Sequence, residues 1–170
     1  QKWMYDTNAT LEAMTQPALK NRGVAYWQAA APVAGRACEK RVYIGTMQGT
    51  LHAVDADTGK RCTDFGKNGV VDVNAWNTVR KWPLSLLQPP TVIKDLLIVG
   101  WAGKDWEDTV APPGNVFALD ARTGERIPAL VQTSKQGFLY VLNRTTGEPI
   151  YPIEERAVPA STVPGERAAP

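Results

Sequence analysis

"VDADTGK", Val54 to Lys60, recurs in altered form as "LDARTGE", Leu119 to Glu125, and as "LNRTTGE", Leu142 to Glu148. Each copy closes a run in which apolar and polar residues alternate: "TLHAVDA", "NVFALDA" and "FLYVLNR". Alternation at period two marks a half-buried strand. In the phrase itself, Asp55, Asp120 or Asn143 can accept hydrogen bonds from backbone N–H groups of a turn. Gly59, Gly124 and Gly147 can take the left-handed conformation that closes it. The phrase therefore reads as a corner between strands.

Working outward, each copy is preceded by a second run: "RVYIGT" (Arg41 to Thr46), "LLIVG" (Leu96 to Gly100) and "ALVQTS" (Ala129 to Ser134). Gln48-Gly49 and Gln136-Gly137 supply tight turns between the paired runs. In the middle copy that turn is replaced by the insertion "WAGKDWEDTVAPPG". A further strand is predicted to leave each corner, as in "KRCTDFG". The repeat is then three strands of an antiparallel meander, with a fourth drawn from elsewhere in the repeat. Four-stranded sheets repeated radially are the blades of a propeller. The predicted fold is all-β, a partial β-propeller forming a single domain over residues 1–170. Its blade-like repeats lie around 41–65, 91–126 and 128–150, with an irregular extension over 151–170. "NATLEAMTQPALKN" (Asn8 to Asn21) predicts one short helix, capped by Asn8 or Thr10 and broken by Pro17. "QKWMYDT" at the start reads as the end of a strand, as though the chain began inside a longer parent.

The spacing of the copies is uneven. Gly59 and Gly124 are 65 residues apart, Gly124 and Gly147 only 23. A blade takes roughly 40–45 residues. Between "TGER" and "IPALVQ" there is no room for the outer strand of one blade and the inner strand of the next, so a large piece reads as absent there.

Composition sets outer limits. Of 170 residues, 44% are hydrophobic and 21% charged, the profile of a globular chain able to bury a core. The formal net charge is +2 with the cations scattered, which proposes no nucleic-acid partner. The apolar run Leu96 to Gly100 is far too short to span a bilayer. Cys38 and Cys62 have two open readings: small half-buried residues, or a disulfide suited to a secreted or periplasmic protein. Strand geometry leaves the disulfide open only if one cysteine is displaced into a loop, since bridging across two strands exceeds its reach.

"NRGVAYW" (Asn21 to Trp27), "RVYIGTMQGTLHAVDADTGKRCTDFGKNGVVDV" (Arg41 to Val73), "APPGNVFALDARTGE" and "LVQTSKQGFLYVLNRTTGEPIYPIEERAVPASTVPGE" occur in this order. Together they resemble the dehydrogenases dependent on pyrroloquinoline quinone (PQQ), in particular the quinoprotein glucose dehydrogenase-like branch. The resemblance implies an eight-bladed propeller whose tryptophan-bearing repeats lock adjacent blades. It implies oxidation of a sugar or alcohol in the periplasm, with PQQ and a divalent cation, usually Ca2+, as cofactors. Electrons would pass to a respiratory quinone or cytochrome, and the parent could be attached to the inner membrane. It also implies that the chain is a fragment with an internal deletion. The family's stretch with a metal-ligating Asn and the catalytic Asp has no counterpart here, and the sole histidine, His52, lies within a strand. Activity of this chain alone is not expected, since no general base is evident.

Residue by residue, Arg22 in "NRGVAYW" matches the family's arginine that pairs with a PQQ carboxylate, a role the planar guanidinium fork suits. Lys135 in "TSKQG" matches the basic residue held near the reactive carbonyls, where a cation stabilises negative charge developing on the quinone oxygen. It is the candidate catalytic as well as cofactor-binding group. Asp105, in the insertion after the "LLIVG" strand, falls near the place of a calcium-ligating glutamate in the methanol-oxidising branch, and an Asp offers the oxygens calcium takes. Without the resemblance each of these is an ordinary solvated side chain. The branch acting on simple alcohols carries adjacent cysteines just before the "NRG" phrase; "TQPALKNRG" has none, which weighs against that branch. Six tryptophans, Trp3, Trp27, Trp76, Trp82, Trp101 and Trp106, are candidate plates filling wedges between blades. The competing function is a non-catalytic propeller scaffold of the outer-membrane-assembly type, which would share the corner but not need "NRGVAYW" or "TSKQG".

Overall fold

The computed structural model describes residues 1–10, 21–77, 84–100, 116–135, 137–154 and 159–166. The chain divides into two compact units, Gln1–Ile127 and Pro128–Pro170.

The first unit holds two four-stranded antiparallel meanders. One comprises β1 (Ala25–Gln28), β2 (Lys40–Gly45), β3 (Thr50–Asp55) and β4 (Val70–Asp72) in that order. The other comprises β5 (Thr91–Ile93), β6 (Leu96–Gly100), β7 (Val116–Asp120) and β8 (Arg126–Ile127). The fourth strand missing from the repeat is thus the one ahead of each β-branched run. "KRCTDFG" does not form the outer strand: only Arg61 bridges back, to Val54, and β4 comes later. Gly66, Asn68 and Gly69 all take positive φ, and the turn they make between Cys62 and Val70 interrupts the strand.

No α-helix occurs among the described residues, and most of the segment expected to be helical lies outside them. Gln1 to Thr10 is not a strand either. It runs as a strap: Lys2 pairs with Asp57 at 3.2 Å, and Trp3 Nε1 donates to the Ala56 carbonyl at 3.0 Å.

The three corners are built alike. Asp55 Oδ1 accepts from the Asp57 and Thr58 amides and the Thr58 hydroxyl. Asp120 Oδ1 does the same for Arg122 and Thr123, and Asn143 Oδ1 accepts from the amides of Thr145 and Thr146. Gly59, Gly124 and Gly147 close the turns at φ of 73°, 73° and 77°. Burial alone would raise the Asp55 pKa, but its bonds from Cys38, Thr58 and Asp57 outweigh burial and hold it below the ordinary carboxylate value.

In the first unit each corner is also a socket. A Cβ on Gly59 would stand 2.7 Å from Trp3 Cγ, and one on Gly124 would stand 3.1 Å from Phe65 Cε2 and from the Gly66 amide. The carbonyl after the corner aspartate accepts from an aromatic donor in both cases: Ala56 from Trp3, Ala121 from the Tyr43 hydroxyl. Gly66 N–H adds a 2.7 Å bond to the Thr123 carbonyl. The second corner is thereby seated on the first sheet. Trp27, 4% exposed, fills the wedge between the sheets and donates to Asp95 at 3.1 Å. Trp76 packs edge-on against Phe117 at 4.9 Å between ring centres. Trp82, Trp101 and Trp106 lie outside the described residues.

Cys38 and Cys62 are joined as a disulfide, with Cα atoms 5.8 Å apart. Cys38 sits in the loop ahead of β2 at φ 64°, and its amide donates to Asp55 Oδ2 at 2.5 Å.

His52 on β3 is buried in a chain of hydrogen bonds. Arg61 Nε donates to the Tyr5 hydroxyl at 3.0 Å, and that hydroxyl shares a 2.8 Å hydrogen bond with His52 Nδ1. His52 Nε2 shares a 3.0 Å hydrogen bond with Thr50 Oγ1. Burial first, and the Arg61 charge second, push the His52 pKa below its ordinary 6.5. The unfolded chain consequently takes up this proton first as pH falls, so stability is full above about pH 6.5 and declines as pH is lowered through the folded value. Glu39, Asp55 and Asp57 are all held low and titrate further down. Between pH 7 and 5 the urea midpoint should fall in the wild-type chain and fall distinctly less in His52→Gln; equal slopes would contradict the assignment.

The second unit carries one hairpin, β9 (Ala129–Thr133) with β10 (Leu139–Asn143), in the register Val131 to Val141. Among the described residues, nothing beyond its own chain neighbours stands within 4 Å of the Cβ position of Gly147 at its corner.

Candidate functional site

Arg22 belongs to a short segment entering β1 from the rim of the first sheet. Three hydrogen bonds fix that segment. Asn21 Nδ2 donates to the Gly45 carbonyl at 2.8 Å, and Gly23 N–H donates to Asn21 Oδ1 at 2.8 Å. The Arg22 amide donates to the Leu87 carbonyl at 3.0 Å. Gly23 lies at φ 146°, a backbone state that L side chains rarely adopt.

The same rim is strapped by Leu84 to Leu87. Leu86 N–H donates to the Thr46 carbonyl at 2.9 Å, and Ser85 Oγ donates to the Met47 carbonyl at 2.8 Å. Leu84 N–H donates to Asn74 Oδ1 at 2.7 Å while Asn74 Nδ2 donates to the Gln48 carbonyl at 2.7 Å. The approach is close enough to require glycine at the hairpin: a Cβ on Gly45 would lie 2.6 Å from Leu86 Cβ, and one on Gly49 would lie 2.5 Å from the Leu84 carbonyl oxygen. Around this rim the Arg22 side chain is exposed, and among the described residues its guanidinium has no hydrogen-bond or ionic partner.

Lys135 occupies the equivalent turn of the hairpin in the second unit. There Ser134 N–H donates to the Phe138 carbonyl at 3.0 Å and Gly137 N–H to the Ser134 carbonyl at 3.1 Å, with Gly137 at φ 82°. The first sheet repeats this pattern: Thr46 N–H to Thr50 O at 2.9 Å, Gly49 N–H to Thr46 O at 3.1 Å. Lys135 therefore matches Met47 in position. Its side chain is exposed and without a polar partner among the described residues. Arg22 is a residue of the first unit and Lys135 of the second. Asp105 lies outside the described residues, and among those described no cluster of three metal-ligating side chains occurs.

A cavity of about 370 Å³ in the wedge between the two sheets is lined by Trp27, Asp95, Asp120 and Arg122, and by none of the candidate residues. Its charged groups serve the docking of the sheets: Asp95 holds Trp27, Asp120 the corner, and Arg122 bonds Glu39 at 3.0 Å. Among the described residues no helix is long and apolar enough to cross a membrane.

A family model described as the β-propeller domain of PQQ glucose/ethanol/alcohol dehydrogenases matches residues 1–127 and 124–170. The quinate/shikimate dehydrogenase (quinone) of Acinetobacter baylyi is 33% identical over 142 residues, covering 74% of this chain and 17% of its own length. The quinoprotein glucose dehydrogenase of Gluconobacter oxydans is 32% identical over 135 residues, again 74% of this chain and 17% of the relative. Among solved structures, the quinohemoprotein alcohol dehydrogenase of Comamonas testosteroni matches with a TM-score of 0.46 and 30% identity, over 64% of this chain and 12% of that one. The chain spans 17% of the length of the two dehydrogenases compared first.

Proposed function

The chain belongs to the β-propeller family of PQQ-dependent glucose, ethanol and alcohol dehydrogenases, and from that membership we propose that it binds PQQ through exposed cations, with Arg22 the candidate in the first unit and Lys135, separately, the candidate in the second. The observation that carries the reading is Arg22: an exposed guanidinium with no partner among the described residues, on a backbone tied down at three points. A cation without a partner among the described residues, on a fixed backbone, fits a ligand bearing three carboxylates, because the guanidinium fork can meet one bidentately without the backbone having to be ordered on binding. Lys135 is the candidate cation of the second unit. Its turn is closed by two backbone hydrogen bonds, and its exposed side chain has no polar partner among the described residues.

When bound, PQQ supplies a two-electron acceptor for a hydride from a hydroxyl-bearing carbon. The chain's own residues contribute binding and electrostatics. Arg22 holds a carboxylate and so fixes the orientation of a flat ligand. Lys135 would hold positive charge near a quinone oxygen, and so would stabilise negative charge there without giving up a proton. Asp105 is proposed as an oxygen ligand for Ca2+ or another divalent cation. No described residue of this chain is assigned the removal of the substrate's hydroxyl proton. The substrate is a sugar or alcohol, the electron acceptor a respiratory quinone or cytochrome, and the setting the periplasm.

The test is a titration of the purified chain with PQQ and Ca2+, followed by tryptophan fluorescence. Saturable quenching is expected, weakened roughly tenfold or more in Arg22→Ala and in Lys135→Ala, as loss of a charge-assisted bond implies. Quenching equal in wild type and both variants would contradict the assignment of these cations.

A further inference from the structure

A cation that waits unpaired for a ligand is useful only if its backbone is already placed. Ordering a released residue at the moment of binding weakens affinity by the entropy it costs. At Arg22 the placement comes from its neighbour. Asn21 reaches 2.8 Å to the Gly45 carbonyl with its NH2 group and accepts from Gly23 N–H at 2.8 Å with its oxygen. One amide thus spans from the end of β2 to the residue beyond Arg22 and makes an Asx turn around it. Only an amide of this length meets both demands, since one end must donate and the other accept.

Gly45 is a firm anchor. It pairs with Leu51 across the β2–β3 ladder, and Leu86 lies against it so closely that no Cβ fits. The Arg22 amide is tied on the other side to Leu87, in the strap that holds this rim. We infer that Asn21 is the positioning residue of the Arg22 cation, clamping it between β2 and the Leu84–Leu87 strap so that the guanidinium is presented ready for an anionic ligand. This rests on the reading of Arg22 as a carboxylate-binding group. Asn21 itself touches no ligand.

The experiment separates the clamp from the ligand. Backbone 15N relaxation of Arg22 and Gly23 is compared in wild type, Asn21→Ala and Asn21→Asp. Asn21 is exposed, so all three are expected to fold. Order parameters near about 0.85 in wild type should drop below about 0.6 in Asn21→Ala. Asn21→Asp should drop likewise. Its carboxylate keeps the Gly23 bond but faces the Gly45 carbonyl oxygen with no proton to donate, at unchanged volume. Unchanged order parameters in both variants overturn the inference.

The PQQ titration adds a second arm. Asn21→Ala should bind roughly five- to thirtyfold more weakly, and Arg22→Ala combined with Asn21→Ala no more weakly than Arg22→Ala alone. Loss in Arg22→Ala with Asn21→Ala within twofold of wild type overturns the role of Asn21 and leaves the cofactor reading standing. No quenching in wild type overturns the cofactor reading, and the relaxation of the Arg22 amide alone then decides the clamp.

Discussion

Replacing Arg41 with alanine should remove about 3–5 kcal/mol from the unfolding free energy of the first unit, the cost expected when a large buried side chain and its charge-assisted hydrogen bonds are lost together. Arg41 is fully buried. Its Nε donates to the Cys38 carbonyl at 2.9 Å, Nη1 to the Arg122 carbonyl at 2.7 Å, and Nη2 to Asp64 at 2.5 Å. The guanidinium also stands 5.4 Å from the centre of the Trp27 ring. One planar group therefore joins the loop ahead of β2, the turn after the first corner, and the corner of the second sheet. Alanine leaves two buried carbonyls without a donor and a cavity beside Trp27. Lysine should not rescue, because three diverging N–H directions cannot come from one ammonium at that depth. Urea unfolding followed by tryptophan fluorescence measures it. Since whole domains are stable by only about 5–15 kcal/mol, a loss under about 1 kcal/mol would mean that the sheets are not docked through this residue.

The second large effect belongs to Cys38 and Cys62. The bond closes a loop with a sequence separation of 24, for which the chain-entropy model gives about 3.5 kcal/mol. It staples the loop before β2 to the segment beyond the first corner, where Arg41 and Asp55 also converge on Cys38. Unfolding with and without reductant should differ by about that amount in the wild-type chain, and Cys62→Ala should show no dependence on reductant. A reductant-insensitive wild-type chain would contradict the account.

The corner was readable from sequence because its interactions are local. Asp55 meets residues two and three positions on, and Gly59 closes the turn within the same phrase. The outer strand was harder. "KRCTDFG" has strand-like residues, but Gly66, Asn68 and Gly69 bend the chain before pairing resumes at Val70. The inner strands β1 and β5 are four and three residues long, too short for a periodic signal. Arg41 was invisible for another reason. An arginine in an alternating run looks like a solvent-facing position, and two of its three partners lie 23 and 81 residues away. Such a position is decided by the docking of one sheet on another, not by local pattern.

The candidate site was legible in a different way. Nothing in composition or spacing separates Arg22 or Lys135 from other exposed cations; the family resemblance singled them out. Asn21 did leave a local trace, since an Asn two residues before a Gly is an Asx-turn signature. Its second bond, to Gly45 across 24 residues, needed the fold. The candidate metal ligand Asp105 lies outside the described residues, so its proposed role rests on the resemblance alone.

The measurement that bears most directly on the central claim is calorimetric titration of the unmodified chain with PQQ, in Ca2+ at low and at moderate ionic strength. Recognition of carboxylates by exposed Arg22 and Lys135 predicts saturable binding near one equivalent that weakens as salt rises, because exposed charges are screened. Absence of heat at either ionic strength, or binding indifferent to salt, would contradict the proposal that Arg22 and Lys135 are PQQ-binding cations.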